Sequence, residues 1–169
     1  MLKNLVRTLI GRQYKTLNKI EISKENLRNN FNYFKNQHPN KKICPVLKSN
    51  AYGHGLKLVA KFLDQEIKPQ FIIVDSLYEA YELEKANIDT PILIIGYTRP
   101  DNFKINKKLN FSFPVYDEKT VATLAKYHPE AKVHIKIDSG MNRLGILPEQ
   151  TNDFIKLLKE HPRLKVSGI

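Results

Sequence analysis

Lys42-Ile43-Cys44-Pro45-Val46-Leu47-Lys48-Ser49-Asn50-Ala51-Tyr52-Gly53-His54-Gly55 is the stretch that decides the fold. It opens as a short apolar run, passes through a glycine-bearing turn, and leads into Leu56-Lys57-Leu58-Val59-Ala60-Lys61-Phe62-Leu63, whose apolar residues recur at helical spacing. The reading is strand, turn, helix, with Lys48 at the carboxyl end of the strand, where α/β folds place their chemistry. An amine held there and partly withdrawn from water loses basicity and becomes a usable nucleophile. The plainer alternative is a solvated lysine at a strand end, and geometry alone does not choose between the two.

The same alternation repeats along the chain. Strands are predicted at Ile43–Lys48, Phe71–Asp75, Pro91–Tyr97, Phe111–Tyr116, Lys132–Asp138 and Leu164–Ile169. Helices are predicted at Leu56–Gln65, Leu77–Ala86, Glu118–Tyr127 and Glu149–Glu160, with a weaker one near Asp101–Lys108. Strands alternating with helices imply crossover connections and a parallel α/β sheet. Periodicity does not separate a barrel from a doubly wound sheet. Before this series, Ile20-Glu21-Ile22 reads as a short strand, and Ser23 as the N-cap of a helix to about Gln37 with Leu27, Phe31 and Phe34 on one face. Pro45 is the one local conflict, because proline cannot donate to a strand ladder.

Residues 1–19 form a separate basic segment. Leu2, Leu5, Val6, Leu9 and Ile10 recur at helical spacing among Lys3, Arg7 and Arg12. Such a segment either lies on a membrane surface or packs against protein. It lacks the unbroken apolar region and small-residue cleavage site of a secretory signal. No apolar run reaches the roughly 20 residues of a bilayer span, so no stable membrane anchor is expected.

A chain of 169 residues with 41% hydrophobic and 27% charged residues has enough apolar content for a proper core. It falls short of the roughly 250 residues of a complete (β/α)8 barrel. The net charge of +11 raises nucleic acid or an anionic surface as a partner. The lysines are scattered through helices and loops rather than gathered into one stripe, so no nucleic-acid partner is expected. The single cysteine, Cys44, excludes an internal disulfide, suits a reducing, cytoplasmic setting and reads as a small core residue.

Alternation along Lys132–Asp138 puts His134, Lys136 and Asp138 on one face and Val133, Ile135 and Ile137 on the other. The apolar face suits an outer helix layer. The polar face then points toward a barrel mouth, an expensive placement unless its charges pair or serve a site. A half-exposed strand with one wet face is the alternative.

Leu47-Lys48-Ser49-Asn50-Ala51-Tyr52-Gly53-His54-Gly55 resembles the cofactor-lysine motif of the alanine racemases, fold-type III enzymes that use pyridoxal 5'-phosphate. Lys136-Ile137-Asp138-Ser139-Gly140-Met141-Asn142-Arg143-Leu144-Gly145 resembles the other signature of that family's N-terminal part. The likeness runs from about Ile20 to Ile169. It implies a partial (β/α)8 TIM-type barrel over residues 20–169, with about six of eight strands, open or truncated at the C-terminal side. It also implies a cytoplasmic isomerase that interconverts L- and D-alanine, the latter for peptidoglycan, and that works as a homodimer on a small amino acid.

Roles follow from the same resemblance. Lys48 would hold the cofactor through a Schiff base and serve as the proton-transfer base on one face of the substrate. Arg143 matches an arginine that reaches the cofactor's phenolic oxygen and the substrate region, a task suited to its planar, permanently charged fork. Lys136 matches a position that is carbamylated in some members and there supports that arginine. Tyr52 matches a tyrosine near the cofactor phosphate. Asp138 reads either as an anchor for the loop carrying Arg143 or as an ordinary turn residue. No metal is implied.

The departures are specific. The family's second acid–base group, a tyrosine from the partner subunit's C-terminal domain, lies outside these residues. So do the arginine facing the pyridine nitrogen and the main phosphate-binding segment. Asn142 stands where many members carry glycine, and Asp75 where a small residue is common. The chain by itself is therefore expected to be inactive or nearly so: a fragment, a truncated frame, or a chain completed by a partner. Two other readings stay open. One is a non-catalytic carrier of pyridoxal phosphate built on a single barrel; the other is a basic module for nucleic acid or anionic surfaces.

Overall fold

Three of the parallel strands, Ile72–Val74, Ile92–Ile94 and Lys132–Ile135, bury one row of side chains and leave the other at least partly accessible. The computed structural model describes residues 17–169, so the amphipathic pattern at Leu2–Ile10 lies outside the described residues. Five strands are present: β1 Ile72–Val74, β2 Ile92–Ile94, β3 Ser112–Val115, β4 Lys132–Ile135 and β5 Lys165–Gly168. All pair in parallel, in the order β1-β2-β3-β4-β5.

That order decides between the two architectures. A doubly wound sheet reverses direction at a switch point and covers both faces with helices. Here the order never reverses, and one face alone is fully covered. Ile72, Val74, Ile92, Ile94, Phe113, Val115, Val133 and Ile135 are each at most 5% exposed. The opposite face carries Ile73, paired with Leu93, and His134, all three half-buried. The winding is that of a barrel, with an outer helix layer and an inner face toward the lumen.

The helices are α1 Lys24–Gln37, α2 Leu56–Phe62, α3 Leu77–Lys85, α4 Pro100–Ile105, α5 Glu118–Tyr127 and α6 Thr151–Lys159. Their starts are set by local chemistry. Ser23, Ser76 and Asp117 each accept a backbone N–H three residues on, closing donors that no helix can satisfy internally. Leu83, Phe103, Val121 and Leu124 pack from this layer onto the sheet and are at most 1% exposed. Phe103 meets Phe113 edge to face, with ring centroids 5.1 Å apart. The helix over Leu56–Gln65 divides into α2 and a wider π turn at Leu63–Ile67.

Two strand expectations are corrected. Ile43–Lys48 is not a ladder strand: one parallel bridge, Val46 to Ile73, joins it to β1. The Ile73 N–H donates to the Pro45 carbonyl at 2.9 Å, and the Leu47 N–H donates to the Ile73 carbonyl at 2.7 Å. Pro45 has no N–H to extend the ladder, so the segment takes the first barrel position with little pairing. Ile20-Glu21-Ile22 is not a strand either; Ile20 is 81% exposed and no sheet lies beside it. The ladder thus has five strands among the described residues, rather than six.

Candidate active site

Because every strand runs the same way, the residues that follow them gather at one end. Lys48 follows Leu47 there, Asp75 follows β1, Tyr97 follows β2, Tyr116 follows β3, and Lys136 and Asp138 follow β4. Lys48 is half-buried and stands at the head of an unusual turn. Ser49, Asn50, Ala51 and Tyr52 have φ of 54°, 56°, 53° and 53°, a run of left-handed backbone in non-glycine residues. Each such residue costs roughly 1–2 kcal/mol, so the run persists only where the surroundings over-determine it.

The surroundings do so. The Ala51 N–H donates to the Leu47 carbonyl at 2.8 Å, and the Gly55 N–H to the Asn50 carbonyl at 3.0 Å. The Asn50 side chain accepts the Leu56 N–H at 2.8 Å, which secures the start of α2. His54 donates its Nδ1–H to the Ala51 carbonyl at 2.8 Å, a structural duty within the turn. Gly53 and Gly55, with φ of 89° and 95°, return the chain to helix, as the Gly-His-Gly pattern anticipated. Tyr52 ends the turn 59% exposed, and borders an apolar groove between the turn and α1 that Leu27, Phe31 and Val46 also line.

The second motif forms a loop closed at its base. The Asp138 N–H donates to the Ile146 carbonyl at 2.8 Å, and the Ile146 N–H to the Lys136 carbonyl at 2.9 Å. Inside the loop the Asp138 carboxylate accepts three backbone N–H groups: Gly140 at 3.0 Å, Asn142 at 3.0 Å and Arg143 at 2.8 Å. The Gly140 and Asn142 amides, with smaller contributions from Arg143 and Met141, hold its carboxyl below the usual aspartate value. Both readings for Asp138 are met: the bond from the Gly140 amide, two residues on, is an aspartate turn contact, and those from Asn142 and Arg143 anchor the rest of the loop. Asn142 has φ 54°, a backbone state that asparagine adopts more readily than other non-glycine residues, so its exchange for glycine is a mild departure. Gly145 is required more strictly: a Cβ there would lie 2.5 Å from the Asp138 nitrogen and 2.8 Å from the Ile137 carbonyl carbon.

Lys48 and Tyr52 thus share one turn, while Lys136 and Arg143 flank one loop. The two pairs occupy the same end of the sheet, with β1, β2 and β3 between them. Among the described residues, no ion pair involves Lys48, Lys136 or Arg143. Lys136 is half-buried and makes no hydrogen bond to Arg143, whose side chain is exposed. No group of His, Cys, Asp and Glu able to hold a metal occurs among the described residues. An amine, a phenol, a guanidinium and a second amine, none neutralised by an acid, make a donor set suited to an anionic aldehyde such as pyridoxal phosphate.

His134 sits on the lumen face of β4. Phe71 meets its ring edge to face at 5.6 Å, and Gly168 lies so close that a Cβ there would be 2.7 Å from its Nδ1. Its Nε2 is buried without a partner among the described residues, and burial lowers its pKa. The residue that inspection of the sequence overlooks is Glu79. It accepts the Ser49 N–H at 2.7 Å and the Asp75 N–H at 3.0 Å. Ser76-Leu77-Tyr78-Glu79 carries the spacing of a capping box, which signals a helix start but not the distant contact with Ser49.

A singly wound parallel sheet, with a lysine at the carboxyl end of its first segment, is an α/β architecture of the barrel class. Within that class the chain belongs to the alanine racemase N-terminal domain family, whose model matches residues 22–169. An alanine racemase from Halothermothrix orenii is 36% identical over 154 residues, covering 88% of this chain and 40% of that protein. Alanine racemase 1 from Caldanaerobacter subterraneus subsp. tengcongensis is 40% identical over 134 residues, covering 76% of this chain and 34% of that protein. Among solved structures, alanine racemase from Clostridium difficile 630 superposes with a TM-score of 0.77 at 36% identity, over 85% of this chain and 39% of that one. The chain thus spans about 40% of the length of the curated relatives it matches. No helix among the described residues is long and apolar enough to cross a membrane.

Proposed function

We propose that the chain is the cofactor-lysine portion of a pyridoxal-phosphate-dependent alanine racemase, active when joined to the part of the family fold that it does not span. Lys48 would hold the cofactor, Tyr52 would serve its phosphate, and Arg143 would serve its phenolic oxygen and the substrate region. When bound, the cofactor supplies an electron sink for the pair left as the substrate Cα–H bond breaks. The Lys48 Nζ takes or returns that proton on one face. Racemisation needs a second group on the other face, and the reading assigns it to a partner copy in a homodimer. Lys136 is the support for Arg143; its deprotonated amine could add to CO2, releasing a proton to solvent, and the carbamate so formed would be an anion able to hold the guanidinium.

The observation that supports the reading most is the Lys48 amine, without an ion pair among the described residues, at the head of a strained, well-bonded turn at the barrel's carboxyl end. The test has two parts. The chain is incubated with pyridoxal phosphate, reduced with borohydride and peptide-mapped; the pyridoxyl group is expected on Lys48 and lost in Lys48→Ala. L-alanine racemisation is then followed through a D-amino-acid oxidase couple, with the chain alone and supplemented with the C-terminal portion of a matching alanine racemase. A pyridoxyl group on another lysine, or none, overturns the assignment. Labelling of Lys48 without racemisation in either case selects a carrier over an enzyme.

A further inference from the structure

We propose that Glu79 is the positioning residue for Lys48: its carboxylate fixes the left-handed turn and so sets the direction of the amine. The inference rests on the proposed function only for its last readout.

A left-handed turn leaves its first backbone N–H groups unbonded, as any helical turn does. Ser49 opens the run at φ 54°, directly after Lys48, and its N–H finds no acceptor within the turn. One oxygen of Glu79 accepts it at 2.7 Å, and the other accepts the Asp75 N–H at 3.0 Å, just beyond β1. The carboxylate therefore ties the lysine turn to the end of the neighbouring strand. Its own mounting is rigid. Glu79 is on the first turn of α3, its N–H is capped by the Ser76 hydroxyl at 3.2 Å, and the next residue, Ala80, is fully buried together with Leu83.

The competing view is that Glu79 merely completes a capping box for α3. In that arrangement the glutamate returns to the N-cap N–H, which here belongs to Ser76. Instead both oxygens are taken by Asp75 and by Ser49, thirty positions upstream. A carboxylate offers two acceptors and no donor, which is what two converging N–H groups require. Glutamine keeps one acceptor and turns an NH2 toward the other N–H, whereas alanine removes both acceptors.

The test compares the full chain with Glu79→Gln and Glu79→Ala by residue-resolved amide hydrogen exchange. In Glu79→Ala, exchange at Ser49 and through Tyr52 is expected to quicken by about tenfold or more, with Leu83 in α3 changed by less than about twofold. Glu79→Gln falls between the two. Equal quickening in α3 and in the turn, or an unchanged turn, overturns the proposal. The second readout is borohydride trapping with pyridoxal phosphate: the share of label on Lys48 is expected to fall at least about fivefold in Glu79→Ala and to recover partly in Glu79→Gln. An undiminished Lys48 share in Glu79→Ala also overturns it. Should the unaltered chain show no label on Lys48, the proposed function fails while the exchange comparison still decides the role of Glu79.

Discussion

Ser49→Gly tests the turn on which the site is built. Ser49 holds φ 54° with its side chain in solvent and its hydroxyl without a hydrogen bond among the described residues. Glycine relieves the left-handed penalty of about 1–2 kcal/mol. It adds about 0.5–1 kcal/mol of unfolded-state entropy to be lost on folding. It keeps the N–H that Glu79 accepts. The difference is a stabilisation of roughly 0.5–1 kcal/mol, or about 1–4 °C in midpoint for a chain of this length.

Ala51→Gly supplies the control. Its backbone gain is the same, since φ is 53°, but its methyl group is buried, with 4% of the residue exposed. Losing that methyl costs about 0.8 kcal/mol before any cavity is counted, which cancels the gain. Urea unfolding of the three proteins should therefore rank Ser49→Gly above the unaltered chain, and Ala51→Gly level with it or below. If Ser49→Gly loses more than about 0.5 kcal/mol, or Ala51→Gly is the more stable variant, the left-handed run does not carry the assigned strain.

Two further substitutions probe the lumen side. Gly145→Ala drives a Cβ to 2.5 Å from the Asp138 nitrogen at φ 138°, and should destabilise by about 1–3 kcal/mol from backbone strain alone, with faster exchange of the Asp138 amide; an unchanged urea midpoint would refute it. His134 gives a pH signature. Its folded pKa lies below the unfolded value near 6.5, so the unfolded chain binds the proton first. The stability it contributes is complete above about pH 6.5 and is lost as pH falls from there through the folded value. Between about pH 7.5 and 5.5 the unaltered chain should lose stability more steeply than His134→Gln, and parallel profiles would reject the assignment.

The parts of the fold legible in sequence were those set by local periodicity. Val133 and Ile135 against His134 and Lys136 gave the facing of β4 correctly, because period-2 alternation survives wherever one face is buried. Ser23 and the apolar spacing gave α1. The Ile43–Lys48 run misled because its apolar side chains match a buried strand, while the missing Pro45 N–H limits it to one bridge. Barrel and doubly wound sheet differ in which distant strands pair, and neither composition nor period records that. The left-handed turn was marked only by Gly53 and Gly55 at its end and weakly by Asn50, a residue that tolerates positive φ; Ser49, Ala51 and Tyr52 carry no such signal. Glu79 was hidden for the same reason: its helix-start pattern is local, and its partner is not.

The two motif segments solve one physical problem twice. Each must present a cation at a strand end from backbone that is neither helix nor sheet, and each leaves N–H groups without regular partners. In each a carboxylate absorbs those donors: Glu79 for the turn after Lys48, Asp138 for the loop before Arg143. Outside the Ser49–Tyr52 run, the positive φ values of the two segments fall on Gly53, Gly55, Gly140, Asn142 and Gly145. These two acids are thus committed to amide hydrogens, and neither forms an ion pair with Lys48 or Arg143. Lys48, Lys136 and Arg143 form no ion pair among the described residues, which leaves these basic side chains available to an incoming anion, as the proposed function requires.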